Sequence, residues 1–530
     1  MRSKRAGAGR RRRDALRPAR AALLAAAVAG LGPGTGAAID AAQLYERHCA
    51  ACHGLDRLGG SGPALVPENF ERLPPQQARR VIREGRLATQ MPGFGALLSE
   101  SELEALVAYL YTPVTPRPAW GTEQIAGSRI VHRHAPPALA RPRHAADPLN
   151  LFVVVEAHDH HVTILDGDRL EPIARFPSRR ALHGGPKFTA AGRYVYFASR
   201  DGWVSKYDLW TLEMVVEARA GINTRNLAVS SDGRYVAVAN YLPHTIAILD
   251  AELRPVQVIP VTDATGVKSS RVSAVYDASP RRSFVAALKD VPELWEISYD
   301  SAHAAKPIGT AANPAAPSAN PLLHLHRTLL DEVLDDFFFT PDFAQLVGTS
   351  REATQAQVID LEARRRIARL ELPGLPHLGS GITWTRAGRT VLATPNLRQG
   401  LLTVVDVATW TIVAQIPTLG PGFFLRSHEA SRYAFLDAML SREHRDTLQV
   451  LDKQTLQIVA LLRPEPGKTL AHVEFDRHGR HALASLWEDT GALIVYEAST
   501  LAEVKRLPMR RPVGKYNVFN KITRSEGTSR

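Results

Sequence analysis

The sequence predicts two folds in tandem: a small all-α domain over residues 39–113 and an all-β, eight-bladed propeller over residues 150–522. Three observations predict this. The only two cysteines, Cys49 and Cys52, belong to a Cys-Ala-Ala-Cys-His motif lying between two amphipathic helical patterns. A strand–turn–strand phrase then recurs through the rest of the chain at intervals of about 40 to 60 residues, the range of four-stranded propeller blades. The composition, 45% apolar and 22% charged, is that of globular protein, so 530 residues imply several cores and not a disordered chain.

The net charge of +12 suggests a nucleic-acid partner, but its location excludes one. Residues 1–38 hold nine of the 65 Lys and Arg and one of the 53 acids, leaving 56 bases against 52 acids beyond them. A basic stretch ends at Arg20, residues 21–31 are apolar, and small residues precede Ile39. Such a run is too short for about 30 Å of hydrocarbon and suits a cleaved signal peptide. The competing reading is a basic tail that binds acidic surfaces. No later stretch reaches the roughly 18 apolar residues of a membrane helix. The sequence therefore predicts an exported, periplasmic protein with no membrane span.

Cys49-Ala-Ala-Cys52-His53 fits covalent haem attachment: the thiols add across two vinyl groups and the adjacent imidazole meets the iron. A redox disulfide would open a helix in a βαβ pattern, and a zinc site would need more cysteines than the chain owns. A helix before the motif and another after Ser99, with apolar residues at 103, 106, 107 and 110, supply a one-sided core. Met91, in Gln90-Met91-Pro92-Gly93-Phe94, is the candidate second iron ligand, its alternative role being core filling. Residues 40–113 resemble a small class I cytochrome c. Residues 114–149, rich in Pro, Ala and Arg over their first part, read as a linker or wrapping segment.

The clearest propeller phrases start at Ala191-Gly-Arg-Tyr and Asp232-Gly-Arg-Tyr, and each runs on to a strand ending in Asp. Residues 302–320, rich in Ala and Pro, read as a surface insertion between the fourth and fifth blades. Polar residues 7 to 11 positions before each turn should meet at one mouth of the central channel. They are His183, Arg225, Arg271, Asp335, Asp336, His377 and His472. The glycines after His183 would let a flat ligand approach. His428 and the pair His160-His161 read as structural or solvated. Residues 523–530 form a tail.

A cytochrome c domain followed by such a propeller resembles the cytochrome cd1 family. The best-matched stretches are Leu182-His183 through Arg200-Asp201-Gly202 to Asp208-Leu209-Trp210, then Asn223-Thr224-Arg225, and finally residues 513–520. The resemblance implies a non-covalent haem d1 or dihydro-haem d1 with His183 on one face of its iron. Arg200 and Arg225 would face its carboxylates, with Lys515 and Tyr516 as further candidates. Where nitrite reductases of the family place a first distal histidine, this chain has Asp335; the second is kept as His377, a candidate iron ligand. His472 has no placed counterpart there and is the candidate general base. This departure resembles the family's dihydro-haem d1 dehydrogenase branch, which converts a propionate side chain to an acrylate as the last step of haem d1 biosynthesis; residues 60–69 share the likeness. Nitrite reduction and non-catalytic haem d1 carriage are the alternatives. The implied partners are an external electron acceptor, a cytochrome cd1 nitrite reductase and a d1-maturation protein.

Overall fold

Asp40 opens the first helix, α1 (Ala41–His48), by accepting the backbone N–H groups of Ala42 and Gln43 at 3.0 and 3.1 Å. A single turn, α2 (Ala50–His53), carries the cysteine motif. Pro75 starts α3 (Pro75–Glu84), and a reciprocal Ser99–Glu102 capping box starts α4 (Glu100–Leu110). The face predicted for α4 is the buried one: Leu103, Leu106, Val107 and Leu110 pack with Leu44, Tyr45, Phe70 and Ile82.

The computed structural model describes residues 39–87, 89–133, 141–182, 184–300, 323–352 and 354–523. The leader 1–38, the ligand candidate His183, the 302–320 insertion and all but the first residue of the 523–530 tail lie outside them. Among the described residues no helix is long and apolar enough to cross a membrane.

Eight antiparallel sheets follow, each of four strands except the second. The first blade is closed by the other end of the chain. Pro512–Asn517 is its innermost strand, pairing Tyr516 with Val153 and Lys515 with Val154. All six residues of the neighbouring strand, Leu151–Glu156, are buried.

The recurring strand-end aspartates have a local cause. Asp166, Asp208, Asp250, Asp360, Asp406 and Asp452 end third strands, and each accepts the backbone N–H two residues on at 2.8–3.0 Å. Such Asx turns fix the hairpin to the outer strand.

The segment 114–149 holds regular structure that its composition hides. A short helix, α5 (Thr122–Gly127), precedes Ile130–Val131, which pairs with the outer strand Glu213–Arg219 and makes the second blade five-stranded. Trp120 Nε1 donates to the Arg219 carbonyl at 2.8 Å. Six and two residues are too few to show a period. The insertion's flanks also correct its expected place. Glu293–Ser298 and His324–Leu329 are the paired third and fourth strands of the fourth blade, so residues 302–320 fall within that blade.

The cytochrome domain packs on loops at one face of the propeller. Ala64 and Val66 are buried with Ile222 and Leu242. Arg72 makes a two-pronged pair with Asp335 at 3.0 and 2.8 Å, donates to the Lys289 carbonyl at 3.0 Å, and meets Glu352. Gln90 Nε2 reaches the Ala157 carbonyl at 3.4 Å.

Candidate functional site

In the cytochrome domain the donors for a covalent haem are already set. Cys49 and Cys52 are unbridged, the first half-buried and the second exposed, and burial pushes the Cys49 thiol up to about 11. His53 is buried, and its Nδ1 lies 2.7 Å from the Pro63 carbonyl. That bond places the proton on Nδ1 and leaves the Nε2 lone pair for a metal. Burial also lowers the imidazole's proton affinity, against the Pro63 bond. Gly62 is required beside it, since a Cβ there would stand 2.5 Å from the ring. Met91 is half-buried at the edge of the helical core. These residues fit a covalent haem.

At the propeller mouth, His377 and His472 come together through aromatic rings. His377 lies 4.1 Å from Phe423 between ring centroids, Phe423 lies 4.6 Å from Phe424, and Phe424 lies 4.6 Å from His472. Tyr516 meets the same His472 ring edge-on at 5.2 Å. His377 Nδ1 is 2.7 Å from the Phe423 carbonyl, so its Nε2 presents a lone pair, with Asp336 3.9 Å away. Burial lowers its proton affinity, with Asp336 opposing.

His472 is 1% exposed. Among the described residues its Nε2 has no hydrogen-bond partner. It sits at a bulge in the innermost strand of the last blade with φ +49°, a left-handed conformation that costs an L-residue energy. Lys515 supports it from the neighbouring innermost strand. Its Nζ donates to the His472 carbonyl, donates to Ser485 Oγ at 2.8 Å, and lies 3.5 Å from His472 Nδ1. Burial drives Lys515 well below the ordinary amine range, and burial followed by Lys515 drives His472 well below the ordinary imidazole range.

Arg225 lies near His377, and Arg200 near Arg225. Arg225 lies beside Tyr241, Tyr276 and Asp336, whose charges outweigh burial and raise it. Arg200 is pulled down to about 10 by burial and then by Arg225, with Arg86 of the cytochrome domain adding to this. Burial would raise Tyr241, but Lys289, Arg225, Arg200 and Arg271 bring it down to about 8. The result is a positive field suited to carboxylates.

Several candidates have other partners than the spacing suggests. Asp335 pairs with Arg72 and Lys289, which overcome burial and hold its carboxyl well below the usual range. Arg271 forms a buried pair with Asp290 at 2.6 Å and donates to the Asn69 carbonyl of the cytochrome domain. Both residues thus join the domain interface. Lys515, expected against carboxylates, faces His472 and Ser485 instead. Gly184 is pressed against Asn226 and Gly185 against Tyr516, with added Cβ atoms at 2.5 and 3.1 Å. Protein therefore occupies the space that the glycines were expected to open to a ligand. His428 is structural, its Nδ1 accepting the Ala430 N–H at 3.1 Å. Of the pair in the polar loop, His161 is anchored to the Asp159 carbonyl at 2.9 Å.

Sequence reasoning missed Asp437, Phe423, Phe424 and Arg426. Arg426 is buried on the innermost strand of the seventh blade, 5.7 Å from the Phe424 ring. The stretch before that strand, Pro-Gly-Phe-Phe, offers no polar residue at the expected spacing.

A c-type cytochrome joined to a propeller whose mouth gathers imidazoles and guanidiniums is a two-centre tetrapyrrole protein. Residues 146–521 match the Cytochrome D1 heme domain family, and residues 36–110 match Cytochrome C oxidase, cbb3-type, subunit III. The chain belongs to the Cytochrome D1 heme domain family. It is 55% identical over 508 residues to dihydro-heme d1 dehydrogenase of Pseudomonas aeruginosa, covering 96% of this chain and 98% of that one. The solved structure of dihydro-heme d1 dehydrogenase NirN in complex with DHE superposes with a TM-score of 0.76 at 55% identity, covering 91% and 99%. Protein NirF of Stutzerimonas stutzeri is 29% identical over 380 residues, covering 69% of this chain and 90% of that one.

Proposed function

We propose that this chain is a dihydro-haem d1 dehydrogenase. It removes two electrons and two protons from a propionate side chain of the tetrapyrrole, turning its CH2–CH2 unit into the CH=CH of an acrylate. The observation that carries this reading is His472, a buried imidazole with a partnerless Nε2 one ring away from the side chain that supports His377.

His377 meets the substrate's iron through Nε2, because the Phe423 carbonyl holds the proton on Nδ1. Its role is to fix the macrocycle. Arg200 and Arg225 hold carboxylates by charge-assisted hydrogen bonds. Lys515 donates to the His472 carbonyl and to Ser485 Oγ and so holds this imidazole in place, with its Nζ beside Nδ1. Nε2 is the basic nitrogen, aimed at the side chain that loses a proton. A base so placed contributes on the order of 10²–10⁴-fold. Burial by Phe424 and Tyr516 excludes water from this transfer. The covalent haem, when attached, supplies a one-electron acceptor, so two discharges to an external acceptor balance each turnover.

The leader and the covalent haem support a periplasmic protein. A cytochrome cd1 nitrite reductase and a d1-maturation protein suit it as partners on either side of the reaction.

The test is direct. Purified protein is incubated with dihydro-haem d1, side-chain oxidation is followed as a 2-Da mass loss, and nitrite with a reductant is then supplied. Acrylate formation without nitrite consumption supports the dehydrogenase. Nitrite loss would establish a reductase, and binding without either would establish a carrier.

A further inference from the structure

Asp437 ends the second strand of the seventh blade, Tyr433–Asp437, and is 1% exposed. Among the described residues it forms no salt bridge. Four backbone N–H groups converge on it instead. Oδ1 accepts from Phe423 at 2.8 Å and Met439 at 3.5 Å, and Oδ2 accepts from Phe424 at 3.2 Å and His472 at 3.4 Å. A buried carboxylate with no salt-bridge partner is costly, so its presence calls for a reason beyond packing.

The reason lies in what those N–H groups carry. Of the two residues bound to Oδ1, Phe423 holds the Nδ1 proton of His377 on its carbonyl and lays its ring on that imidazole. The residues bound to Oδ2 are Phe424, whose ring meets His472, and His472 itself at its left-handed turn. One carboxylate therefore grips the supports of two imidazoles from different blades. An asparagine of equal size would turn an NH2 group toward N–H donors and release one of the two sides.

We propose that Asp437 is a positioning residue that holds His377 and His472 in one fixed frame, so that the iron and the side-chain proton are presented in register. This rests on the reading that His377 meets the iron and His472 takes the proton.

The experiment uses the full chain with its covalent haem, as Asp437→Asn, His377→Ala, His472→Ala and the two double variants with Asp437→Asn. Two readouts are followed with bound dihydro-haem d1: the optical spectrum of the tetrapyrrole and the single-turnover rate at saturation. The expected D437N protein binds substrate but turns over roughly ten- to a hundred-fold more slowly, since small misplacements have such effects. Its spectrum shifts toward that of H377A. Added to H472A it slows turnover no further, and added to H377A it shifts the spectrum no further.

A normal rate and spectrum in D437N, with H377A and H472A each showing its own defect, overturns the proposal while leaving the underlying reading intact. Losses that multiply in the doubles also overturn it, because they mark a general structural role. If H377A leaves the spectrum unchanged and H472A still turns over, the underlying reading fails and this inference with it. Should D437N not fold, Asp437→Ser, smaller and still an acceptor, carries the same comparison.

Discussion

The two centres are built in opposite ways. The cytochrome site is drawn from one stretch: Cys49, Cys52, His53, the Pro63 carbonyl and Met91 all lie between residues 49 and 91, with Cys49 and Met91 packed on one helical core. The propeller site draws His377, Phe423, Asp437, His472 and Lys515 from four blades, and none has its nearest partner nearby in sequence. A local motif tolerates change around it; a convergent site depends on every blade keeping its register. The cytochrome centre should therefore fail only at its own residues, and the propeller centre also at residues that touch no substrate.

The largest effect expected is removal of both thiols. Cys49→Ala with Cys52→Ala abolishes covalent haem and turnover while tetrapyrrole binding stays within about two-fold, as followed by mass and by optical titration. Equal loss of both activities would mean the centres are not separable. Next, His472→Ala lowers turnover by on the order of 10²–10⁴-fold with binding retained; a rate within a few-fold of the parent would place the base elsewhere.

Smaller effects probe the joint between the centres. Asp335→Asn weakens the clasp with Arg72 and Lys289 and slows haem reduction by substrate about three- to ten-fold, an effect that shrinks as salt screens the parent's ion pairs. Because those cations hold the Asp335 carboxyl low, its stabilisation is fully present above the ordinary carboxylate range and is lost only as pH falls through the lowered value. Docking in the parent protein should thus persist at pH 4, measured by stopped-flow reduction; release between pH 5 and 4 would contradict this. The smallest is Trp120→Phe, which loses the bond to the Arg219 carbonyl and about 1 kcal/mol of stability, seen as a melting shift of about a degree.

How much could be read beforehand follows the same division. Cys49, Cys52 and His53 were legible because adjacent residues carry the chemistry. The blades were legible because strand-end aspartates and turns repeat, each for a local reason. His377 and His472 emerged from their spacing before the turns, yet that same spacing drew in Asp335 and Arg271, which serve the domain joint. Position at the mouth is shared by both groups, and only the approach of Arg72 and Asn69 from the other domain separates them. Asp437 stayed hidden because its value lies in backbone N–H groups from two other strands, which leave no mark on sequence. Lys515 was placed in the right region but given the wrong target, since a strand's end fixes location and not the direction of a long side chain.

The strand Pro512–Asn517 has a consequence for how the molecule matures. Lys515 and Tyr516 stand on the strand that closes the first blade, whereas Cys49, Cys52, His53 and Met91 precede every strand of the propeller. The cytochrome residues are contiguous ahead of the propeller; the surroundings of His472 exist only once the ring has shut on itself. A chain cut before Pro512 would keep the cytochrome residues and lose the bonds of Lys515 to the His472 carbonyl and Ser485, an order in which the wire is laid before the switch.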